Sequence, residues 1–314
     1  MPDVIDPSGS SGPQRLGVGL FLPGSLAHLD LIDPLLASCD FFEISPETFL
    51  KGQDENKELL IRNDVYALQE IKTRFAKPFV AHGLQYSLGT ALSASGEDSL
   101  QRWLTLIGKF HALFDFQWYT DHLGYSVSPE GLQTLLPLPL PHTQEAVKTV
   151  ARRLAQLKSI VPQVGFENSV FYFTLGDPMR EADFYNTLCR EAQCHLLLDT
   201  HNIYTHCKNF NLDPKEFCRR INGENVIELH VSGGSESEPE WLEGPTFRLD
   251  SHDGPVPEKV WDLVEFLLPR CPHIRGATLE RLDGTVEPHE VPQLAEELDR
   301  LRGLWERLVS PTPC

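Results

Sequence analysis

The sequence predicts a single-domain α/β protein with a (β/α)8, or TIM, barrel fold. Eight apolar or β-branched runs of strand length recur along the chain, and such a barrel has eight parallel strands. Longer segments with helical periodicity lie between these runs, which indicates that the strands pair in parallel through helical crossovers. No G-x-G-x-x-G or P-loop motif follows the first run, and this disfavours an open doubly wound sheet.

The predicted strands are almost continuously apolar, as strands buried on both faces are. They are 16–22, 41–45, 78–82, 116–121, 163–168, 195–200, 226–232 and 276–281. Amphipathic helices are predicted over 56–75, 143–161 and 257–270. The proline-rich segment 136–142 is typical of a loop before a helix. We therefore assign residues 16–310 to one barrel and residues 1–15 to a flexible N-terminal arm.

Composition limits the class of partner. The chain has 314 residues, a formal net charge of −18 and seven cysteines. Such acidity repels phosphates and anionic lipid, so we expect neither nucleic acid nor membrane as a partner. No run approaches the roughly 20 apolar residues of a membrane helix, and the N-terminus lacks the pattern of a secretory signal. Scattered cysteines, odd in number, favour a reducing compartment, and we predict a cytoplasmic protein.

Acidic and imidazole side chains stand where seven of the eight predicted strands end. They are Glu43, His82, Asp121 with His122, Glu167 with Asn168, Asp199, His230 and Glu280. Asp250 and His252 follow the seventh strand and are separated by one residue. The C-terminal ends of barrel strands converge on one face, where barrel enzymes have their active sites. The sequence therefore predicts one shared site at this mouth.

Each of these residues alone has an ordinary structural explanation, such as a helix cap or a buried hydrogen-bond partner. Their coincidence is harder to explain in this way, because converging carboxylates repel one another unless positive charge lies among them. Imidazoles mixed with carboxylates, without thiolate, suit iron, manganese or zinc better than magnesium or calcium. The candidate ligands exceed the needs of one ion, so the sequence predicts two or three metal ions.

Eight short motifs occur in the order of the predicted strands. They are D-F-F-E-I, A-H-G-x-x-x-S-L-G, T-D-H-L, F-E-N-S, L-L-L-D-x-x-N-I-Y, E-L-H-V-S-G, L-D-S-H-x-G-P-V and L-E-R. Together they resemble the multinuclear non-haem iron-dependent oxidative enzymes, the family of methanobactin oxidase and the thiaglutamate-forming oxidase, over roughly residues 16–285. The resemblance implies a barrel with two or three irons and dioxygen as co-substrate. It also implies a ribosomally made precursor peptide as substrate, often modified at cysteine, and in many cases a separate protein that presents the peptide.

The resemblance implies metal ligands at positions of this chain that match the motifs. They are His82, His122, Glu167, Asp199, Asn202, His230, Asp250, His252 and Glu280. The strand-end argument selects all of these except Asn202, which the resemblance adds. It further implies that Asp121 and Asn168 orient the ligands. We assign catalysis to Glu167, Asp199 and His201.

This chain departs from the family pattern beside the ligands. His201-Asn202 stands where the family usually has Asn-Asn, Gly234 stands where a histidine is common, and Leu282 follows Glu280-Arg281 where the family has aspartate. We expect residues 200–206 to form a loop over the mouth, with His206 exposed. Three roles stay open for His201: a group that faces the substrate or orients a ligand, which we favour, an extra iron ligand, or an exposed loop residue.

Two other functions stay open. A divalent-metal sugar isomerase or phosphodiesterase on a similar barrel would also have His, Glu and Asp at its strand ends. A nuclease would need a basic groove, which the charge of −18 disfavours. A non-catalytic binding subunit is disfavoured because clustered carboxylates without a metal destabilise a fold. Oxygen consumption during turnover distinguishes the oxidase from the isomerase.

Overall fold

The computed structural model describes residues 14–53, 59–91, 94–128, 133–238 and 246–309. Eight of its strands, numbered in chain order with the hairpin strands below, form a closed parallel barrel. They are β1 (Gly17–Leu22), β2 (Phe41–Ile44), β5 (Phe79–Gly83), β6 (Tyr119–His122), β9 (Val164–Glu167), β10 (His195–Asp199), β11 (Val226–Val231) and β12 (Gly276–Leu279). Their order around the barrel is β1-β12-β11-β10-β9-β6-β5-β2. Each coincides with one predicted run, and the predicted barrel fold is confirmed.

Helices surround this barrel. They are α1 (Leu26–Leu36), α2 (Val65–Phe75), α3 (Ala94–Phe114), α4 (Gln144–Lys158), α5 (Glu181–Ala192), α6 (Thr200–Asn209), α7 (Pro214–Arg220), α8 (Glu258–Leu267) and α9 (Val291–Leu308). Helix α4 illustrates why they form. The Thr143 side chain caps its N-terminus by accepting a hydrogen bond from the Ala146 amide, and Val147, Val150 and Leu154 recur at helical spacing on its buried face.

Two predicted segments differ from the structure. The helix predicted over 56–75 is wrong over residues 59–64: α2 starts at Val65, and Leu59–Ile61 form β4, paired antiparallel with β3 (Leu50–Gln53). Residues 56–58 of this prediction lie outside the described residues. Asn63 and Asp64, which favour turns, separate the two elements. The segment 136–142 is only partly a loop, because β8 (Gln133–Leu138) pairs with β7 (Tyr125–Val127). A two-stranded hairpin leaves edges where proline is tolerated.

Apolar side chains fill the barrel interior below the strand ends. Phe41, Val80, Trp118 and Ile227 form an apolar cluster separate from the main core between strands and helices. Beside this cluster a Cβ at Gly19 would lie 2.5 Å from the Phe41 ring, so glycine is needed there for Phe41 to fill the barrel. The polar residues of the mouth therefore stand on an apolar floor.

The chain ends of the described part meet at the barrel. Arg15 Nη1 donates to the Val309 carbonyl, and Arg275 Nε donates to the Gln14 carbonyl. The rest of the predicted N-terminal arm, residues 1–13, lies outside the described residues. Among the helices described, none is both long enough and apolar enough to cross a membrane.

Candidate metal centre

The predicted ligands meet at the C-terminal mouth of the barrel. Overlapping groups place one ligand atom per residue within 4.8 Å of one another: His82–His122–Glu167, Glu167–Asp199–His230, Asp199–His252–Glu280 and His201–Asp250–His252. Strands β6, β9 and β10 end at these residues, and β5 and β11 end one residue after theirs. Glu280 follows β12 directly. Asp250 and His252 come from the connection between β11 and α8. All eight predicted His, Asp and Glu ligands are therefore brought into one site.

Glu167 is the centre of one half of the site. Its Oε2 lies 3.2 Å from His82 Nε2 and 3.1 Å from His122 Nε2. Asn202 donates from Nδ2 to Glu167 Oε1 at 3.3 Å, which leaves the Asn202 Oδ1 free of hydrogen bonds within the described chain. One carboxylate and two imidazoles thus face a common space, and the Asn202 amide contacts this carboxylate through its nitrogen.

Glu280 is the centre of the other half. Its Oε2 lies 3.0 Å from His230 Nδ1 and 3.1 Å from His252 Nδ1. The second nitrogen of His252, Nε2, lies 2.7 Å from Asp250 Oδ1 and 3.8 Å from Asp199 Oδ2. The Glu280 carboxylate therefore joins ligands from two strands and one loop.

Several ligand atoms are buried and form no hydrogen bond of good geometry among the described residues, although most of them have the ion-pair contacts given above. They are Glu167 Oε2, Asp199 Oδ2, Asn202 Oδ1, His230 Nδ1 and Nε2, His252 Nε2 and Glu280 Oε2. Buried polar atoms without well-formed hydrogen bonds are costly, and seven in one mouth require an explanation. Metal ions would satisfy these atoms, and the donor set of imidazole, carboxylate and amide oxygen fits iron. The residues present therefore fit the multinuclear centre that the resemblance implies.

The pKa values of the buried acids also favour a bound cation. Burial, with Glu167 and Glu280 adding to it, raises the pKa of Asp199 to about 7. Burial raises the pKa of Glu43 to about 8, and Glu228 and Glu280 act in the same direction while His230 opposes them. Burial alone would also raise the pKa of Glu167, but His122 and His82 lower it to about 2. Asp199 and Glu43 are thus ionised only at a cost that bound cations would offset, whereas His122 and His82 already stabilise the carboxylate of Glu167.

Neighbouring groups hold the ligands in orientation. His82 Nδ1 lies 3.0 Å from Thr120 Oγ1, and His122 Nδ1 lies 3.2 Å from the Gly83 carbonyl. Asn168 pairs with the backbone of Asp199, donating to its carbonyl at 3.1 Å and accepting from its amide at 2.8 Å. These contacts leave the other nitrogen of each imidazole facing the mouth.

Asp121 accepts a hydrogen bond from the Tyr119 hydroxyl at 3.1 Å. Sequence reasoning missed Thr120 and Gly83 as orienting groups. It also missed Glu228, which lies beside Glu43 and His230 in a buried group but accepts its hydrogen bonds from Trp118 and Thr278. The signal for Glu228 was its place two residues before His230, because alternate residues of a strand point to the same side.

The loop predicted over 200–206 is wrong, because Thr200–Asn209 form helix α6. Asp199 caps this helix directly from the end of β10 through its Oδ1, which accepts from the Asn202 amide at 2.6 Å. The exposed position predicted for His206 is also wrong: it is buried, and its Nε2 lies 3.1 Å from the Pro178 carbonyl. Because the helix begins directly after the strand, its residues pack inward, whereas a loop would have exposed them.

His201 is fully buried, which excludes its role as an exposed loop residue. It belongs to one ligand group with Asp250 and His252. Burial, with His252 and Arg248 acting in the same direction, lowers the pKa of its imidazole to about 2. The ring is therefore neutral at any working pH.

A cavity of about 390 Å³ opens above the site. His82, His122, Glu167, His252 and Glu280 line its base, and the walls come from residues that include Phe21, Leu84, Gln85, Val127, Thr134, Pro137 and Leu282. Two of these, Leu84 and Leu282, are exposed apolar side chains. The mouth therefore combines a charged base with a mixed, partly apolar wall.

Comparison with known proteins gives both a family and a fold. The family model described as RiPP precursor modification enzyme MbnB/TglH/ChrH matches residues 17–306. A UPF0276 protein of Caulobacter vibrioides (strain NA1000 / CB15N) is 31% identical over 291 residues, which cover 92% of this chain and 93% of the relative. A UPF0276 protein of Alcanivorax borkumensis is 32% identical over 258 residues, which cover 80% and 78%.

Among solved structures, a xylose isomerase domain protein from Planctomyces limnophilus is similar with a TM-score of 0.56 and 14% identity, over 94% of this chain and 99% of that one. The IolI protein with a bound zinc atom is similar with a TM-score of 0.57 and 13% identity, over 94% and 100%. At these identities the likeness establishes the barrel fold alone.

Proposed function

The chain belongs to the MbnB/TglH/ChrH family of RiPP precursor modification enzymes, and from this membership we propose that it is an oxygen-dependent multinuclear non-haem iron oxidase. Its substrate in this proposal is a ribosomally synthesised precursor peptide, often modified at cysteine. The observation that carries the proposal is the overlap of the ligand groups, in which Glu167, Asp199 and His252 each belong to two groups. One ion cannot use all of these atoms, and two or three can.

Nine residues would hold the iron: His82, His122, Glu167, Asp199, Asn202, His230, Asp250, His252 and Glu280. Their mixture of imidazole and oxygen donors without thiolate suits iron, and manganese or zinc are the other metals that such donors accept. When bound, iron supplies the activation of dioxygen and the redox chemistry that amino-acid side chains lack.

The chain's own residues bind and orient. Glu167 and Asp199 fix the spacing of the centre, because each is anchored at a strand end and has a second contact, with Asn202, that limits its rotation. His201 supplies an imidazole at the Asp250–His252 end, with one atom of each of these three residues within 4.8 Å of the others. These three residues are the ones to which we assign catalysis.

A peptide is the substrate class that we propose for the mouth, and the cavity size is compatible with it. The cavity of about 390 Å³ is in the range of pockets that hold a small ligand and admits a few residues of an extended chain rather than a folded domain. A separate protein that presents the peptide fits the same proposal. The acidic chain, at −18, disfavours nucleic acid as the substrate.

We place this chemistry in the cytoplasm. Six cysteines of the described chain are free and buried, as in proteins of reducing compartments.

The metal content tests the proposal. Protein purified without oxygen should contain about two to three iron atoms per chain, and Glu167→Ala and Asp199→Ala should each lower that content. Glu181→Ala is the matched control, because Glu181 is a buried acid whose ion pair, 3.1 Å to His142, lies outside the ligand groups. Less than one iron with stoichiometric zinc or magnesium and retained activity would contradict the iron assignment.

Oxygen dependence tests the reaction class. Turnover of the precursor peptide should stop under strict anaerobiosis. The xylose isomerase-like barrels share the fold of this chain, and a sugar isomerase or phosphodiesterase is the alternative function. Full turnover without oxygen would assign the protein to that alternative.

A further inference from the structure

Arg248 contacts the imidazole of His201 with two of its nitrogens. Arg248 Nε and Nη2 each lie 3.3 Å from His201 Nε2, and Thr205 Oγ1 lies 3.4 Å from the same atom. A guanidinium has only N–H donors and is not deprotonated in proteins. Both nitrogens of Arg248 must therefore donate, and His201 Nε2 must accept with its lone pair.

This contact fixes where the proton of His201 lies. A neutral imidazole has one N–H and one acceptor nitrogen. With Nε2 as acceptor, the proton is on Nδ1, which is buried and lacks a hydrogen-bond partner among the described residues. A protonated nitrogen has no lone pair for a metal ion, so the ring presents a donor from Nδ1 instead of a ligand.

Arg248 is itself hydrogen-bonded to helix α6, which carries His201. The Asn209 side chain donates to the Arg248 carbonyl at 2.9 Å and accepts from its amide at 2.8 Å. The guanidinium also lies 5.4 Å from the centre of the Tyr204 ring. His201, Tyr204 and Asn209 all belong to α6, so Arg248 and His201 keep their relative position through one rigid element.

The space around His201 restricts the ring as well. A Cβ added at Gly234 would lie 2.7 Å from His201 Cε1. The imidazole thus occupies the volume that any side chain at position 234 would need. Its remaining neighbours in the ligand group are Asp250 and His252, with one atom of each residue within 4.8 Å of one another.

From these contacts we propose that Arg248 is a positioning residue that holds His201 in the Nδ1–H form, so that His201 is not a metal ligand beside Asp250 and His252. The inference rests on the proposed function for the presence of metal at these residues. The tautomer itself depends only on the Arg248 contact.

Nitrogen NMR tests the tautomer without turnover. The full-length protein is labelled with ¹⁵N-histidine and loaded with zinc, which is diamagnetic, and His201→Asn assigns the signals by loss. Long-range ¹H–¹⁵N correlations should show the proton of His201 on Nδ1. A proton on Nε2, in a neutral or a charged ring, would overturn the proposal, as would a zinc-bound Nδ1.

Two further measurements separate positioning from simple packing. Zinc bound per chain should be the same in His201→Asn as in the wild type, whereas loss of a whole equivalent would make His201 a ligand and overturn the proposal. Arg248→Met should change the His201 spectrum toward a mixture of tautomers, and Arg248→Lys, which keeps a donor, should restore the Nδ1–H form at least in part. An unchanged His201 spectrum in folded Arg248→Met would show that Arg248 does not set the tautomer. None of these readouts uses oxygen or peptide, so they stand apart from failure of the oxidase assignment.

Discussion

Glu43 and Glu228 are buried acids with different contacts beneath the same imidazole. Glu43 Oε1 lies 2.9 Å from His230 Nε2, which leaves Nδ1 to face Glu280. Glu228 instead accepts from Trp118 Nε1 and Thr278 Oγ1, both at 2.6 Å. A carboxylate behind an imidazole fixes its tautomer and raises the basicity of the ligating nitrogen. Glu43 has that position and Glu228 does not.

We therefore expect Glu43→Gln to weaken metal binding about 10–100-fold, because a neutral amide polarises His230 less than the carboxylate that Glu43 becomes when cations bind nearby. Titration of metal-free protein with zinc against a competing chelator measures the affinity. Glu228→Gln is the matched control and should change affinity less, because Glu228 makes its hydrogen bonds to Trp118 and Thr278. Equal losses in the two variants would argue against the orienting role of Glu43.

His195 makes stability depend on pH away from the metal site. It begins β10, and burial, with Arg275 and Lys158 acting in the same direction, lowers its pKa from 6.5 to about 4. Because the unfolded chain takes up this proton at higher pH, the stabilisation is complete above 6.5 and is lost as the pH falls toward 4.

Between pH 6.5 and about 4 the wild type should lose on the order of 1–2 kcal/mol of unfolding free energy through His195, a value reduced for the partial exposure of the ring. His195→Gln should not show this loss. Urea unfolding with a chelator present, between about pH 4.5 and 7.5, measures it. His289→Gln, at an exposed position, controls for the substitution. If the unfolding free energy of His195→Gln falls with pH as steeply as that of the wild type, His195 is not the source of the pH dependence.

At the scale of elements, Asp199 has two roles at the junction of β10 and α6: it caps the helix, and it is a candidate metal ligand. Asp199 ends the strand, caps the helix with Oδ1 and directs Oδ2 to the ligand group. No loop separates the elements, so the first turn of α6 delivers His201 and Asn202 into the mouth.

Two substitutions separate capping from metal binding. Asparagine caps a helix as well as aspartate does, and alanine does not. In metal-free protein, Asp199→Ala should therefore be about 1 kcal/mol less stable than Asp199→Asn, whereas both should bind less metal than the wild type. Chemical denaturation gives the first quantity and metal analysis the second. Equal stability of the two variants would show that the cap contributes little.

At the scale of the whole molecule, the barrel could be predicted because its strands are buried on both faces and form separate apolar runs. The position of the candidate site could be predicted because the parallel strands of a barrel all end on the same side. Helix α6 could not, because its sequence THNIYTHCKN is polar and its N-cap is also the last residue of a strand. The hairpin β3–β4 could not either, since its pairing depends on a partner outside the short run Leu59–Ile61. The orienting contacts of Thr120 and Gly83 depend on neighbouring strands, and a single sequence carries no such register.

Metal removal should destabilise the entire barrel. Glu167, Asp199 and Glu280 converge from three strand ends, and their repulsion returns when the cations leave. Chelation should lower the free energy of unfolding by about 3–4 kcal/mol if the metal was present at 100 to 1,000 times its Kd, and so lower Tm by several degrees. Calorimetry before and after chelation measures the change, and re-addition of metal should reverse it. A double variant, Glu167→Gln with Asp199→Asn, should not respond to the chelator.

The sharing of Glu167, Asp199 and His252 between groups has a consequence for how the proposed centre would fill with metal. An ion bound in one group would alter the field and the geometry that the next ion meets, so the binding steps would be unequal. A partly filled preparation would then be a mixture of molecules with different numbers of ions, and its average metal content would describe none of them. Loading of the proposed centre would be a sequence of states, each with its own spectrum and its own activity.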